Sequence, residues 1–216
     1  LFASEFMAAK TEEFWGRDSF KWRKLQNPFN PSQYDAEPTP GEYALYFGRI
    51  IDEKGVNILV EAAMRAREIP VIIVGDGPDL ELLEDRVKAS RATNIRFIGA
   101  KWGDELSEII KACRYVVVPS LWHENFPYVI LQAFAHAKPV IGTKRGGIPE
   151  MVRHGERGLL YEASDADELA NAMRMLHSDG ALAERMGVAA RSFVEAEFND
   201  QRFYEKLMGI YEEARL

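Results

Sequence analysis

A chain of 216 residues, 47% hydrophobic and 28% charged, is long enough to bury one sizeable α/β core with an appendage, and its composition is that of an ordinary soluble globular protein. Its formal charge of −7 argues against a general nucleic-acid binder, which presents a basic surface, and leaves an anionic ligand only to a few well-placed cations. No apolar run approaches the roughly 20 residues of a membrane-spanning helix, the start has none of the features of a secretion signal, and the single Cys113 excludes an internal disulfide and fits a reducing, cytoplasmic setting.

In chain order, residues 1–25 read as helical and irregular, opening at Leu1 in what looks like mid-helix, so further chain is expected upstream. A proline-marked linker follows at Asn27-Pro28-Phe29-Asn30-Pro31 and again at 38–41. Short β-rich apolar segments then come at 43–47, 71–74, 95–98 and 115–118, with a fifth at 140–142 and a weaker sixth at 158–161. Val71-Ile72-Ile73-Val74 shows no polar alternation, which suits a strand buried on both faces of a parallel sheet. Helical patterns at 56–67, 80–90, 105–113, 128–136 and 149–152 separate these segments. The alternation predicts right-handed βαβ crossovers in a Rossmann-like, doubly wound α/β parallel sheet. After Tyr161 the strands stop, and three C-terminal helices are expected at 165–176, 181–197 and 201–214. The expected division is therefore 1–40, an α/β domain at 41–197, and a final helical segment at 198–216.

Open parallel sheets hold ligands beyond the carboxyl ends of their strands, which directs attention to the loops after the first, third and fourth. The first, Gly48-Arg49-Ile50-Ile51-Asp52-Glu53-Lys54-Gly55, carries two cations and opens a helix near Gly55. An Arg can fork onto phosphate oxygens, a Lys adds a point charge, and helix amides favour an anion. The alternative is surface pairing of Arg49 and Lys54 with Asp52 and Glu53. Val74-Gly75-Asp76-Gly77-Pro78 follows the second strand, and the third glycine of a dinucleotide fingerprint falls on Leu80. A tight strand-to-helix turn accounts for it without a cofactor. Nor does any Gly-x4-Gly-Lys-Ser/Thr phosphate loop occur, so NAD and NTPase readings fail.

The loop after the fourth strand is the most informative: Pro119-Ser120-Leu121-Trp122-His123-Glu124-Asn125-Phe126-Pro127-Tyr128-Val129-Ile130-Leu131-Gln132-Ala133-Phe134. Pro127 is expected in the first turn of a helix, with Glu124 ahead of it and Gln132 roughly 7–8 Å along it at 1.5 Å per residue. Two polar groups so spaced can meet opposite ends of an elongated ligand whose diphosphate rests on the helix N-terminus. Alternatively, Glu124 caps the helix and Gln132 is solvated.

This stretch resembles the Glu-x7-Glu motif of the family-4 retaining glycosyltransferases. The likeness extends through Gly48-Arg49 with Glu53-Lys54-Gly55, Gly75-Asp76-Gly77-Pro78, Phe97-Ile98-Gly99, Pro119-Ser120 and Gly146-Gly147-Ile148-Pro149-Glu150, in the family's order. It implies the nucleotide-sugar-binding half of a two-domain GT-B enzyme, retention of anomeric configuration, and neither a cofactor nor an obligatory metal, the nucleotide-diphosphate sugar being a substrate. By that resemblance Arg49 and Lys54 hold the diphosphate, and Glu124, as the catalytic carboxylate, meets hydroxyls of the transferred sugar. Backbone amides at Asn125 and Phe126 approach sugar and phosphate, Ala100 and Lys101 line the base pocket, and position 132 binds the ribose. The family's second Glu is Gln132 here, which gives up charge-assisted hydrogen bonds. The acceptor is expected on a preceding N-terminal domain, of which 1–40 would be the tail and linker, with the last helix crossing back toward it.

Three further features have readings of their own. Asp165-Ala166-Asp167 matches an Asp-x-Asp metal pair in form, but its place ahead of Glu168-Leu169-Ala170 is that of a helix cap. The aromatic and basic run from Phe14 to Lys24 allows peripheral membrane association of the full-length protein, against which stands packing on the acceptor domain. His123, beside Glu124, is either a substrate contact or an ordinary loop histidine. Competing functions are a non-catalytic sugar-nucleotide-binding module, favoured by Gln132, and another GT-B enzyme such as an epimerase or phosphorylase.

Overall fold

The computed structural model of the protein describes residues 1–17, 20–36 and 41–215. Asp18 and Ser19 of the aromatic run, and 37–40 of the expected linker, lie outside the described residues.

Six strands, β1 (Ala44–Phe47), β2 (Val71–Val74), β3 (Ile95–Phe97), β4 (Tyr115–Val118), β5 (Val140–Thr143) and β6 (Gly158–Tyr161), form one sheet in the order β3-β2-β1-β4-β5-β6. Every pairing is parallel, with Ala44 opposite both Val71 and Tyr115. This is the expected Rossmann-like sheet. Its strands read as unbroken apolar runs because both faces are covered. Ala44 and Tyr46 of β1 and Tyr115 and Val117 of β4 enter one core, while Leu45, Phe47, Val116 and Val118 enter the other. The period of two thus divides one apolar strand between two layers of helix.

The first layer contains α2 (Val56–Arg65), α3 (Leu80–Ser90) and α7 (Ala166–Ser178). Helix α2 buries Val56, Leu59, Val60, Ala62 and Ala63, an apolar stripe at helical spacing. Truncating the fully buried Leu59 to Ala would cost ~2–5 kcal/mol. The opposite layer contains α4 (Gly103–Ala112), α5 (Tyr128–Ala135), the short α6 (Ile148–Met151) and most of α8 (Gly180–Glu197). Asp165 accepts from the Asp167 and Glu168 amides and so caps α7, as its sequence context suggested.

Several boundaries differ in ways that bear on the site. Pro127 is the N-cap of α5 rather than part of its first turn. The loop after β1 does not run straight into α2 but first makes a 3-10 turn, Asp52–Lys54. At the N-terminus, α1 (Glu5–Trp15) lies between Phe2 and Lys24, which form a parallel bridge. Helix α9 (Asp200–Ala214) buries no residue, and its Tyr204 and Tyr211 are exposed. Phe20 and Trp22 pack on Phe2, whereas Phe14 and Trp15 are exposed. Among the described residues no helix is long and apolar enough to cross a membrane.

Candidate nucleotide-sugar site

The strand order reverses between β1 and β4, since β1 continues to β2 on one side and β4 to β5 on the other. A crevice beyond the carboxyl ends of the strands at such a reversal is where open sheets bind ligands. The loops after β1 and β4 both emerge there.

The loop after β1 is fixed from beneath and from both sides. The Tyr46 hydroxyl donates to the Arg49 carbonyl at 2.6 Å, and the fully buried Ile50 anchors the loop in the core. Gly48 N–H donates to the Val74 carbonyl and Ile50 N–H to the Asp76 carbonyl, so the loops after β1 and β2 extend the sheet's ladder. Side chains at Gly75 or Gly77 would run into the Gly48 and Ile50 carbonyls. The Gly-Asp-Gly-Pro turn is therefore a packing requirement, in agreement with the turn reading.

Past the 3-10 turn, Gly55 adopts a left-handed conformation (φ +67°) and abuts the Pro119 carbonyl oxygen, where a Cβ has no room. The Leu121 and Trp122 amides both donate to the Glu53 carbonyl. These contacts bind the two loops together and bring Lys54 to Glu124. Lys54 Nζ donates to Glu124 Oε1 at 2.5 Å, and Ser120 Oγ donates to the same oxygen at 2.8 Å. Ser120 is in turn held by Thr143, whose hydroxyl donates to its carbonyl. Oε2 of Glu124 has no partner among the described residues. The carboxylate does not cap α5, which has no side-chain cap; nor does Lys54 pair with Asp52 or Glu53.

The backbone of Glu124 and Asn125 is pressed by the Gly146-Gly147 turn, where any side chain would collide with their peptides, and Gly147 N–H donates to the Glu124 carbonyl. The amides of Asn125 and Phe126 have no acceptor among the described residues and lie just ahead of α5. The Phe126 ring is core, packed against Tyr128 and Phe198, so only its backbone is available to a ligand. His123 stacks on Phe6 with ring centroids 5.2 Å apart.

Beside this pair lies an open cleft of about 410 Å³ lined by Arg49, Asp76, Ala100, Lys101, Trp102 and Gln132, among others. The Arg49 side chain is exposed and makes no ion pair among the described residues. The Gln132 amide is likewise unengaged, whereas Lys101 pairs with Glu105 at 2.6 Å. Four of the residues singled out from sequence thus share one cleft. Lys54 and Glu124 form the adjoining pair, and Asn125 and Phe126 follow on the same loop. Buried Tyr46 adjoins both groups: burial chiefly raises its hydroxyl pKa, the Glu124 charge adds to this, and Arg49 opposes it.

Sequence reading gave no role to Tyr46, to Ser120 within its motif, or to Trp102. The last lines the cleft while 76% exposed. An aromatic residue between a strand end and the Gly103-Asp104-Glu105 helix start was the available signal for it.

The family profile described as glycosyl transferases group 1 matches residues 32–193. The chain belongs to this family. It is 35% identical over 182 residues to the alpha-maltose-1-phosphate synthase of Mycobacterium tuberculosis, covering 78% of this chain and 47% of that protein. The C-terminal domain of the group 1 family protein LpcC from Francisella tularensis superposes with a TM-score of 0.69 at 26% identity, covering 78% of this chain and 97% of that domain. Anabaena HepE, solved in complex with UDP, shares the fold with a TM-score of 0.89 at 21% identity over 98% of this chain and 63% of its own. The chain spans about half the length of the curated relatives it matches.

Proposed function

We propose that this chain is the donor-binding half of a retaining glycosyltransferase that transfers a sugar from a nucleotide-diphosphate sugar to a saccharide, lipid or other acceptor. The observation that carries the reading is the junction of two features at the sheet's reversal point. One is a cleft holding Arg49 and Gln132, whose side chains have no partner among the described residues; the other is a Lys54–Glu124 pair bordering it. A structural neighbour is in keeping with this: HepE has been solved with UDP and with UDP-glucose.

In this reading the nucleoside occupies the cleft between Ala100, Lys101 and Gln132, with Gln132 on the ribose. The diphosphate is held by Arg49, Lys54 and the free amides ahead of α5, where the helix macrodipole also favours an anion. These preset charges stabilise the negative charge that grows on the departing diphosphate without reorganising during the reaction. Glu124 orients the sugar and balances the cation-like transition state. No metal is required, because the leaving group's charge is met by the two side-chain cations. Residues 1–40 are then the end of an acceptor-binding half with its linker, 41–197 the donor domain, and 198–216 a helix returning toward that half. The bare face of α9 supports this division.

Gln132 favours a second reading, a sugar-nucleotide-binding module without catalysis. Calorimetric titration with UDP, GDP and ADP, with and without EDTA, tests the first. Saturable binding of one nucleotide, indifferent to EDTA and lost in Arg49→Ala, is expected. Absence of binding to all three, or binding that needs a divalent metal, would overturn it.

A further inference from the structure

The sugar-facing loop and the Gly146–Glu150 segment beside it are contacted from an unexpected quarter, the start of α1 and Lys24. Ser4, only 2% exposed, donates from Oγ to Asn125 Oδ1 at 2.6 Å while accepting from the Met7 amide as N-cap of α1. Gly147 makes room for it: a Cβ there would come within 3.3 Å of Ser4 Cβ. The Phe6 ring lies nearly parallel to His123, with 9° between the planes. Glu150 accepts from the Glu5 and Phe6 amides at 3.1 and 2.8 Å, meeting donors that a helix start otherwise leaves open. Lys24 Nζ, from the far side of the Phe2–Lys24 bridge, closes on Glu150 at 2.7 Å.

We infer that Ser4 is a positioning residue that fixes which hydrogen-bonding group Asn125 offers to the donor sugar, and that Glu150 holds Ser4 in place. The inference rests on the donor-site reading above. An Asn amide can present either an acceptor or a donor. With Oδ1 turned toward Ser4, Nδ2 is the end of the amide turned away from it, and it can only donate. Position 125 therefore serves an acceptor oxygen of the transferred sugar. Because Gly147 also binds the Glu124 carbonyl, the support reaches the carboxylate one residue earlier. Ser4, Phe6 and Lys24 thus do more than lead into the linker: they back the sugar loop and the turn beside it.

The test compares two ligands on the 216-residue chain: whichever of UDP, GDP and ADP it binds, and the glucose conjugate of that nucleotide. Ser4→Ala is expected to weaken the sugar nucleotide about fivefold, the effect of one lost neutral hydrogen bond, with less than a twofold change for the nucleotide alone. Ser4→Thr, which keeps the hydroxyl, restores the ratio. Should Ser4→Ala fold poorly, Asn125→Ala supplies the readout, since it removes the Nδ2 donor without placing a charge beside the diphosphate. Equal losses for both ligands, or no loss in any variant, would overturn the inference while leaving the donor-site reading standing. A parent chain that binds no nucleotide would remove both.

Discussion

Lys54 donates its ammonium to Glu124 Oε1 at 2.5 Å, although the two residues lie 70 positions apart. The side chains are 33% and 13% exposed, and each neutralises the other. Under the proposed function a diphosphate competes with Glu124 for Lys54, and the freed carboxylate turns to the sugar.

That competition gives a prediction of unusual sign. Glu124→Gln should tighten binding of the nucleotide diphosphate alone by about fivefold, because a partly exposed ion pair contributes at most about 1 kcal/mol and its loss releases Lys54. Lys54→Ala should weaken the same ligand. Titration of both variants at low and high salt checks this, and unchanged affinity in Glu124→Gln would mean that Lys54 is not the diphosphate's cation.

Arg49 offers the complementary case. It is exposed and unpaired among the described residues, so Arg49→Ala should leave the melting temperature within about a degree, surface substitutions of this kind staying inside ±0.5 kcal/mol. Nucleotide affinity should nevertheless fall by roughly 10- to 100-fold, the range for hydrogen bonds to a charged group of about 1.5–3 kcal/mol. A melting temperature that drops along with affinity would assign Arg49 to the fold instead.

The contrast between these residues explains what local pattern can and cannot reveal. The strands were legible because apolar runs such as Val71–Val74 are bounded by turn residues, and the order of elements leaves few ways to wind a parallel sheet. The cleft residues were singled out through the family resemblance, and each stands just past a strand end or along one helix. The Lys54–Glu124 pair could not be assigned, since it depends on β1 and β4 being neighbours and on Gly55 fitting beneath the Pro119 carbonyl. Local periodicity does not encode that adjacency. The same holds for Ser4 and Asn125, 121 residues apart, and for Glu150, whose capping of α1 follows from tertiary approach alone.

Gly55 accordingly joins fold and site. A side chain there meets left-handed strain of about 1–2 kcal/mol and a steric conflict with backbone that adds about 1–3 kcal/mol. Gly55→Ala should lower stability by the sum, about 2–5 kcal/mol, and displace Lys54 from Glu124. Thermal unfolding gives the first quantity and titration the second. A variant as stable as the parent would show that the loops after β1 and β4 can part without cost.

At position 132 the neutral amide should limit affinity for the ribose. Gln132→Glu allows a carboxylate to accept from ribose hydroxyls, and charge-assisted bonds are roughly twice as strong as neutral ones. Ribonucleotide affinity is expected to rise severalfold, with little gain for the 2′,3′-dideoxy analogue. Equal gains for both ligands would place the ribose elsewhere. Loss for both would mean that the amide donates to the ligand in a way no carboxylate can.

His136 supplies the pH-dependent prediction. Its ring is fully buried behind α4 and α5, with Nδ1 against the Asp35 carbonyl at 3.1 Å and Nε2 against Ser107 Oγ at 3.2 Å. Burial is the main cause that lowers its pKa; the Asp35 carbonyl opposes this, and Lys111, Lys138 and Arg191 add to the lowering. The folded chain therefore binds this proton less readily than the unfolded chain, whose histidine titrates at about 6.5. Above that value both states are neutral and stability does not depend on the group. As pH falls below about 6.5 the unfolded state gains the proton first, and stability declines until the folded histidine also titrates. His177, also lowered chiefly by burial but less enclosed, contributes in the same direction. Melting temperatures measured between about pH 5 and 8, the range in which histidines change charge, should fall on the acid side in the parent and less steeply in His136→Gln. Parallel curves would show that His136 takes up its proton within the fold without loss, its Asp35 and Ser107 contacts accommodating the imidazolium.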